Sequence, residues 1–174
     1  MSDLATVIAK QAIQELVVRY CRAVDRRDFD ILHTLYHKDG IDEHGAMYSG
    51  SASGYIAWLP TVLAGMQCTS HSVTNHLIHV QGHQAEGEVY CTAYHLTAAS
   101  AEHPATEIII GGRYLDKYVF DDGRWQFMHR KIVMDWNQIK PSSCDMNSPI
   151  VAGSPVGSAI ASDPSRTFFD FFRG

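Results

Sequence analysis

A chain of 174 residues, 45% hydrophobic and 19% charged, has the length and composition of one domain folded around a single core. Its 14 basic and 19 acidic residues give a net charge of -5 with no long run of either sign, so no continuous basic face is available to a phosphate backbone, and nucleic-acid binding is excluded. No stretch approaches the roughly 20 apolar residues of a membrane span, and Met1-Ser-Asp-Leu-Ala lacks the layout of a signal peptide, so a cytoplasmic location is expected.

Residues 8–25 carry Ile13, Leu16, Val17, Tyr20 and Val24 at the recurrence of one helical face. Asp28 is placed to cap a short second helix presenting Phe29, Leu32, Leu35 and Tyr36, and Asp39-Gly40 reads as a turn. Ile41 to Ser49 then reads as a short edge strand, and Ser51 to Ala64 as a third helix that Pro60 kinks or breaks. From there the pattern is one of strands: His71–Val80, Gln84–Leu96, Ile108–Phe120 and Arg124–Trp136. The last two form a hairpin, because Asp122-Gly123 between alternating apolar runs supplies the positive φ angles of a tight reversal. Gly111-Gly112, inside a strand, marks a bend or bulge where a curved sheet closes over a pocket. Helices followed by a strand meander make an α+β fold.

The tail, 141–174, is rich in Pro, Gly and Ser and ends in Phe168-Phe-Asp-Phe-Phe172. Four phenylalanines in five residues are expected to pack on the domain or on a neighbouring subunit. Cys21, Cys68, Cys91 and Cys144 form no C-x-x-C pair and fit neither a disulfide scaffold nor a zinc ribbon. Ten histidines include no H-E-x-x-H, and their spacings on strands do not converge, so no metal is expected. Signatures of a serine nucleophile elbow, a phosphate loop and a dinucleotide fold are missing.

Asp25, at the end of the first helix, and His71, at the start of a strand, are the residues on which chemistry would turn. A carboxylate meeting an imidazole in an apolar cavity makes a general base without metal or cofactor. The alternative for Asp25 is a loop aspartate that is solvated or paired with Arg22, Arg26 or Arg27. Alternation puts Arg130 on the strand face of Met128, Ile132, Met134 and Trp136. An arginine there is paired, with Asp25 for example, or binds a substrate anion or leaving group, or closes the wide end of a cone. Arg113, sharing a face with Ile109 and Leu115, carries the same ambiguity. Tyr20 is core or an acid partner. Asn75, on the His71 face, positions a carbonyl or satisfies backbone. Cys21 lies one turn before Asp25 and is placed to line the same cavity.

These elements in this order resemble the SnoaL-like branch of the nuclear transport factor 2-like superfamily, cone-shaped α+β barrels. The residues that carry the resemblance are Ile13-Gln-Glu-Leu, Tyr20-Cys-Arg-Ala-Val-Asp25, Thr69-Ser-His71-Ser-Val-Thr-Asn75, Gly111-Gly-Arg-Tyr and Asp122-Gly-Arg-Trp125 with Arg130. The chain is most similar to the hexachlorocyclohexane dehydrochlorinases, scytalone dehydratases and bile-acid 7α-dehydratases. The resemblance implies a barrel domain over 1–140, an Asp25–His71 base pair, and Arg130 stabilising a departing anion. It places Tyr20 where bile-acid dehydratases have a catalytic tyrosine and dehydrochlorinases a lysine; a second pocket carboxylate of the bile-acid enzymes falls near Ala93. It further implies an apolar cavity lined by Trp58, Tyr114, Met128 and Trp136, a small hydrophobic substrate, and a dimer or trimer. The expected activity is a cofactor-independent lyase; an isomerase or polyketide cyclase and a ligand-binding module without catalysis are the alternatives.

Overall fold

A computed structural model describes residues 3–159 and 161–171. Helix α1, Leu4–Asp25, starts where the Asp3 carboxylate accepts the Thr6 N–H at 2.8 Å, and it turns Ile13, Leu16, Val17, Tyr20, Cys21 and Val24 inward. It ends in a Schellman arrangement: the Asp28 N–H bonds the Ala23 carbonyl and the Arg27 N–H bonds the Val24 carbonyl. The left-handed position of that motif, usually glycine, is occupied by Arg27 at φ 55°. The Arg27 guanidinium donates to the Val24 carbonyl and to Thr69 Oγ1, both at 2.9 Å, and so ties the helix end to the strand that carries His71.

Helix α2, Phe29–Leu35, is followed by β1, Tyr36–Glu43, β2, Ser49–Ser51, and α3, Ala52–Leu63. Four long strands come next, β3 (Met66–Gln81), β4 (Gln84–Thr97), β5 (Thr106–Asp121) and β6 (Arg124–Pro141), and a single turn of helix, α4 (Ser165–Phe168). The six strands form one sheet in the order β2-β1-β6-β5-β4-β3, antiparallel except where β1 runs parallel to β6. The sheet curves around α1 but stays open between β2 and β3, so the cone is not a closed barrel. Asp122 and Gly123, both with positive φ, make the two-residue reversal between β5 and β6.

The structure corrects several expectations. Asp39-Gly40 is no turn. It lies within β1 at a register shift against β6, and β1 is an interior strand while the edge falls to β2. Tyr36 opens that strand rather than closing α2, and Asp28 makes no side-chain cap bond. Helix α3 runs through Pro60; only its last three residues follow, so little helix depends on the lost donor. Gly111 and Gly112 do mark a bulge: a Cβ on the first would lie 2.0 Å from the Trp136 ring, and one on the second 2.3 Å from the Val133 carbonyl. In the tail, Asp163 is buried, accepts backbone N–H groups of Ser158 and Ser165, and lies 3.4 Å from Arg26. Arg166 pairs with Asp28 at 3.0 Å. Phe168, Phe169 and Phe171 are exposed, with the first two rings edge to face at 5.3 Å; Phe172 lies outside the described residues.

Candidate active site

A cavity of about 280 Å³ lies between α1, α3 and the concave face of the sheet. Its wall is overwhelmingly apolar, with Trp58, Leu59 and Val62 from α3 facing Ile108, Ile132 and Met134 from the strands. A wider groove of about 760 Å³, edged by Lys10, Glu86, Lys117 and Lys131, is charged and includes none of the expected catalytic residues.

Asp25 and His71 meet on the cavity side. Asp25 Oδ1 accepts the His71 Nδ1–H at 2.7 Å, and Oδ2 accepts the His71 backbone N–H at 2.9 Å. Both side chains are 11% exposed. Two contacts to one carboxylate fix the ring's position and its tautomer, which leaves Nε2 as the nitrogen free to take a proton. Edge-on at 5.6 Å stands His95, whose own proton affinity is lowered, chiefly by burial and then by the His71 charge.

The same cavity meets a second pair that the sequence did not single out. Asp42, fully buried, accepts the His44 Nδ1–H through Oδ1 and the Tyr36 hydroxyl at 2.6 Å through Oδ2. His44 Nε2 is 3.0 Å from the Tyr55 hydroxyl, which is 2.7 Å from the Tyr20 hydroxyl. His44, Tyr55 and Tyr20 all line the cavity. Burial, then the Asp42 charge, push the Tyr20 phenol up, and burial does the same to Tyr55. The available signal was Asp42-Glu43-His44, an acid and an imidazole two apart on one strand face; reading Ile41 to Ser49 as an edge strand, when β1 lies inside the sheet, hid it.

Arg130 is fully buried, but it is bonded to Asp116 rather than Asp25, with Nε to Oδ1 at 2.8 Å and Nη2 to Oδ2 at 2.7 Å. Its guanidinium carbon sits 4.2, 3.9 and 4.1 Å from the ring centres of Tyr20, Tyr114 and Phe127. Burial works against its charge, and Asp116 outweighs that effect. It is not among the residues lining the cavity, so the expected contact with a departing anion is replaced by a brace behind two of the wall's aromatic rings.

Trp58 and Tyr114 line the cavity as expected. Cys21 is buried beside it without lining it, its thiol pushed up to about 12 by burial. Asn75, Met128 and Trp136 do not line it, and bulges explain each miss. The register between β3 and β4 slips between Val73 and His76, leaving Asn75 exposed. That between β5 and β6 slips at Lys117/Tyr118, so that Phe127, not Met128, joins Arg130 inside. A further slip at Gly111/Gly112 leaves Met134 in the wall and Trp136 half exposed against Gly111. Arg113 borders the cavity, but its guanidinium is committed to Asp135 at 2.9 and 2.8 Å and to Glu88 at 3.1 Å. Among the described residues no three His, Cys, Asp or Glu side chains converge as metal ligands, and no helix is long and apolar enough to cross a membrane.

A family model described as a SnoaL-like domain matches residues 5–131. A hexachlorocyclohexane dehydrochlorinase of type 3 from Novosphingobium barchaimii superposes with a TM-score of 0.71 at 20% identity, covering 85% of this chain and 100% of that one. A structure from Novosphingobium aromaticivorans, provisionally assigned as a scytalone dehydratase, gives 0.69 at 20% identity over 80% of this chain and 97% of its own. An uncharacterized protein of Mycobacterium tuberculosis is 26% identical over 132 residues, 75% of this chain and 88% of that protein. At these identities the structural likenesses establish the fold.

Proposed function

The chain belongs to the SnoaL-like domain family, and from that premise we propose that it is a lyase that removes a carbon-bound proton from a small hydrophobic substrate, with His71 as the base. The observation that carries this reading is the Asp25–His71 pair, closed at 2.7 Å on the wall of an apolar cavity. Asp25 holds the ring and offsets the charge of the imidazolium that forms; Nε2 receives the proton. Apolar walls exclude water and favour a compact, cyclic substrate, and the Tyr20 phenol supports the leaving group or the developing oxyanion. Arg130 acts at one remove, by bracing Tyr20 and Tyr114. None of these roles calls for a cofactor.

The dehydratase and dehydrochlorinase named among the structural neighbours set the panel to be screened: small cyclic ketones, β-hydroxy ketones and hexachlorocyclohexane in deuterated buffer. Loss of C–H signal and appearance of alkene are followed by proton NMR. Asp25→Asn and His71→Ala are each expected to slow whatever reaction is found by about 10²-fold or more. Reaction that persists in both variants would remove the base assignment, and binding across the panel without exchange or elimination would favour a ligand-binding module.

A further inference from the structure

The Asp42–His44–Tyr55–Tyr20 line is buried over its whole length, runs along the cavity wall from His44 to Tyr20, and is not needed to remove a proton. Asp42 has no exposure, Tyr20 1% and Tyr55 2%, and they come from three separate elements, β1, α1 and α3. Such a row holds together only if each group is satisfied by the next. Asp42 takes the hydrogen of His44 Nδ1, leaving Nε2 towards Tyr55. The Tyr55 hydroxyl has two partners, His44 and Tyr20, whereas the Tyr20 hydroxyl has one. A phenol offers one donor and two acceptor positions, so Tyr20 is the end of the row with capacity for a ligand.

We infer that this row is the proton-delivering limb of the cavity, and that the substrate therefore carries an oxygen where it meets Tyr20, as a hydroxyl that leaves as water or a carbonyl that becomes an enol. This rests on the proposed role of His71. A halide leaves without being protonated and would have no use for the row; hydroxide is a poor leaving group and needs it.

With His44 protonated and Asp42 as its counter-charge, every hydrogen bond points towards the ligand: His44 Nε2–H to Tyr55, Tyr55 to Tyr20, Tyr20 to the substrate oxygen. In the elimination, His71 Nε2 takes the carbon-bound proton and the C–H pair becomes the new π bond as the C–O bond breaks. The departing oxygen takes the Tyr20 proton and leaves as water. Tyr20 is reprotonated by Tyr55, and Tyr55 by His44. His71 ends protonated and His44 neutral, and exchange with solvent resets both. Burial makes a stranded phenolate at Tyr20 costly, and resupply from His44 avoids it. Tyr20 touches the substrate; Tyr55, His44 and Asp42 position and reload it.

The test has two arms. In the first, the carbonyl stretch of 2-tetralone bound to the whole protein is read by infrared difference spectroscopy. The wild type is expected to lower it, Tyr20→Phe to abolish the shift, Tyr55→Phe to reduce it, and His71→Ala to leave it in place. In the second, 3-hydroxycyclohexanone and hexachlorocyclohexane, which carries no oxygen, are compared as elimination substrates. Tyr55→Phe, which removes a single oxygen atom, should slow loss of hydroxyl about tenfold and leave loss of chloride within about twofold. A carbonyl shift indifferent to Tyr20 and Tyr55, parallel slowing of both leaving groups, or no ketone binding would overturn the inference. If the shift follows Tyr20 and Tyr55 while elimination ignores His71→Ala, the base assignment fails and the row stands.

Discussion

Replacing Asp116 by Asn tests whether Arg130 is a brace. The carboxylate makes two hydrogen bonds to a guanidinium with no solvent exposure, is itself 3% exposed, and accepts the Tyr118 hydroxyl at 2.8 Å. Asparagine keeps the shape but cancels the counter-charge and turns an N–H donor towards the guanidinium. An unpaired buried charge costs about 3–5 kcal/mol, a large part of the roughly 5–15 kcal/mol available to a domain. At about 2–4 °C per kcal/mol for a chain of this size, the melting temperature should fall by about 6–20 °C. Urea unfolding and differential scanning calorimetry of Asp116→Leu, Arg130→Met and the double variant Asp116→Leu/Arg130→Met give the cycle, with Asp116→Asn measured beside it. The double variant should recover most of the loss, because the aromatic nest can hold an apolar chain, less about 1 kcal/mol for the Tyr118 hydroxyl left without its acceptor. A loss below about 1 kcal/mol in Asp116→Asn, or a double variant no better than the singles, would refute this reasoning.

Other consequences follow from the geometry. Gly111→Ala sets a methyl carbon 2.0 Å from the Trp136 ring and should cost about 1–3 kcal/mol, with most of it regained in Gly111→Ala/Trp136→Leu, as measured by chemical denaturation. Met134→Trp fills the cavity and should abolish 2-tetralone binding in calorimetric titrations, whereas Trp136→Ala should leave it within about threefold. Burial lowers the proton affinity of His95 and His76, so below the ordinary histidine value the unfolded chain takes up protons that the folded one resists. Their contribution to stability is complete above about pH 6.5 and is lost as the pH falls; His95→Gln should flatten that acid limb in urea titrations. Asp163, held down to about 2 first by the Ser158 N–H, contributes at neutral pH and loses that contribution as the pH falls from 3.8 towards 2.

The parts of the fold legible in the sequence were those governed by local periodicity and turn chemistry. The apolar face of α1 carries Tyr20 and Asp25 to the cavity, and Asp122-Gly123 sets the last hairpin. Residues placed by strand alternation were legible only up to the first bulge. Asn75, Met128 and Trp136 each lie at or beyond a register slip, and one extra residue moves a side chain to the other face. Gly111-Gly112 announced such a slip, but no such signal precedes Asn75 or Met128. Long-range partners were hidden for a different reason: Asp116, which claims Arg130, and Tyr55, which joins His44 to Tyr20, are brought there by the curvature of the sheet and the seating of α3, and no spacing in the sequence encodes either.

The most direct measurement of the central claim is the rate at which 2-tetralone exchanges its α-protons with deuterated solvent in the presence of wild type and of His71→Ala, both shown to be folded by circular dichroism. The account predicts protein-dependent exchange in the wild type that falls by about 10²-fold or more in the variant. Equal exchange in the two proteins would contradict it.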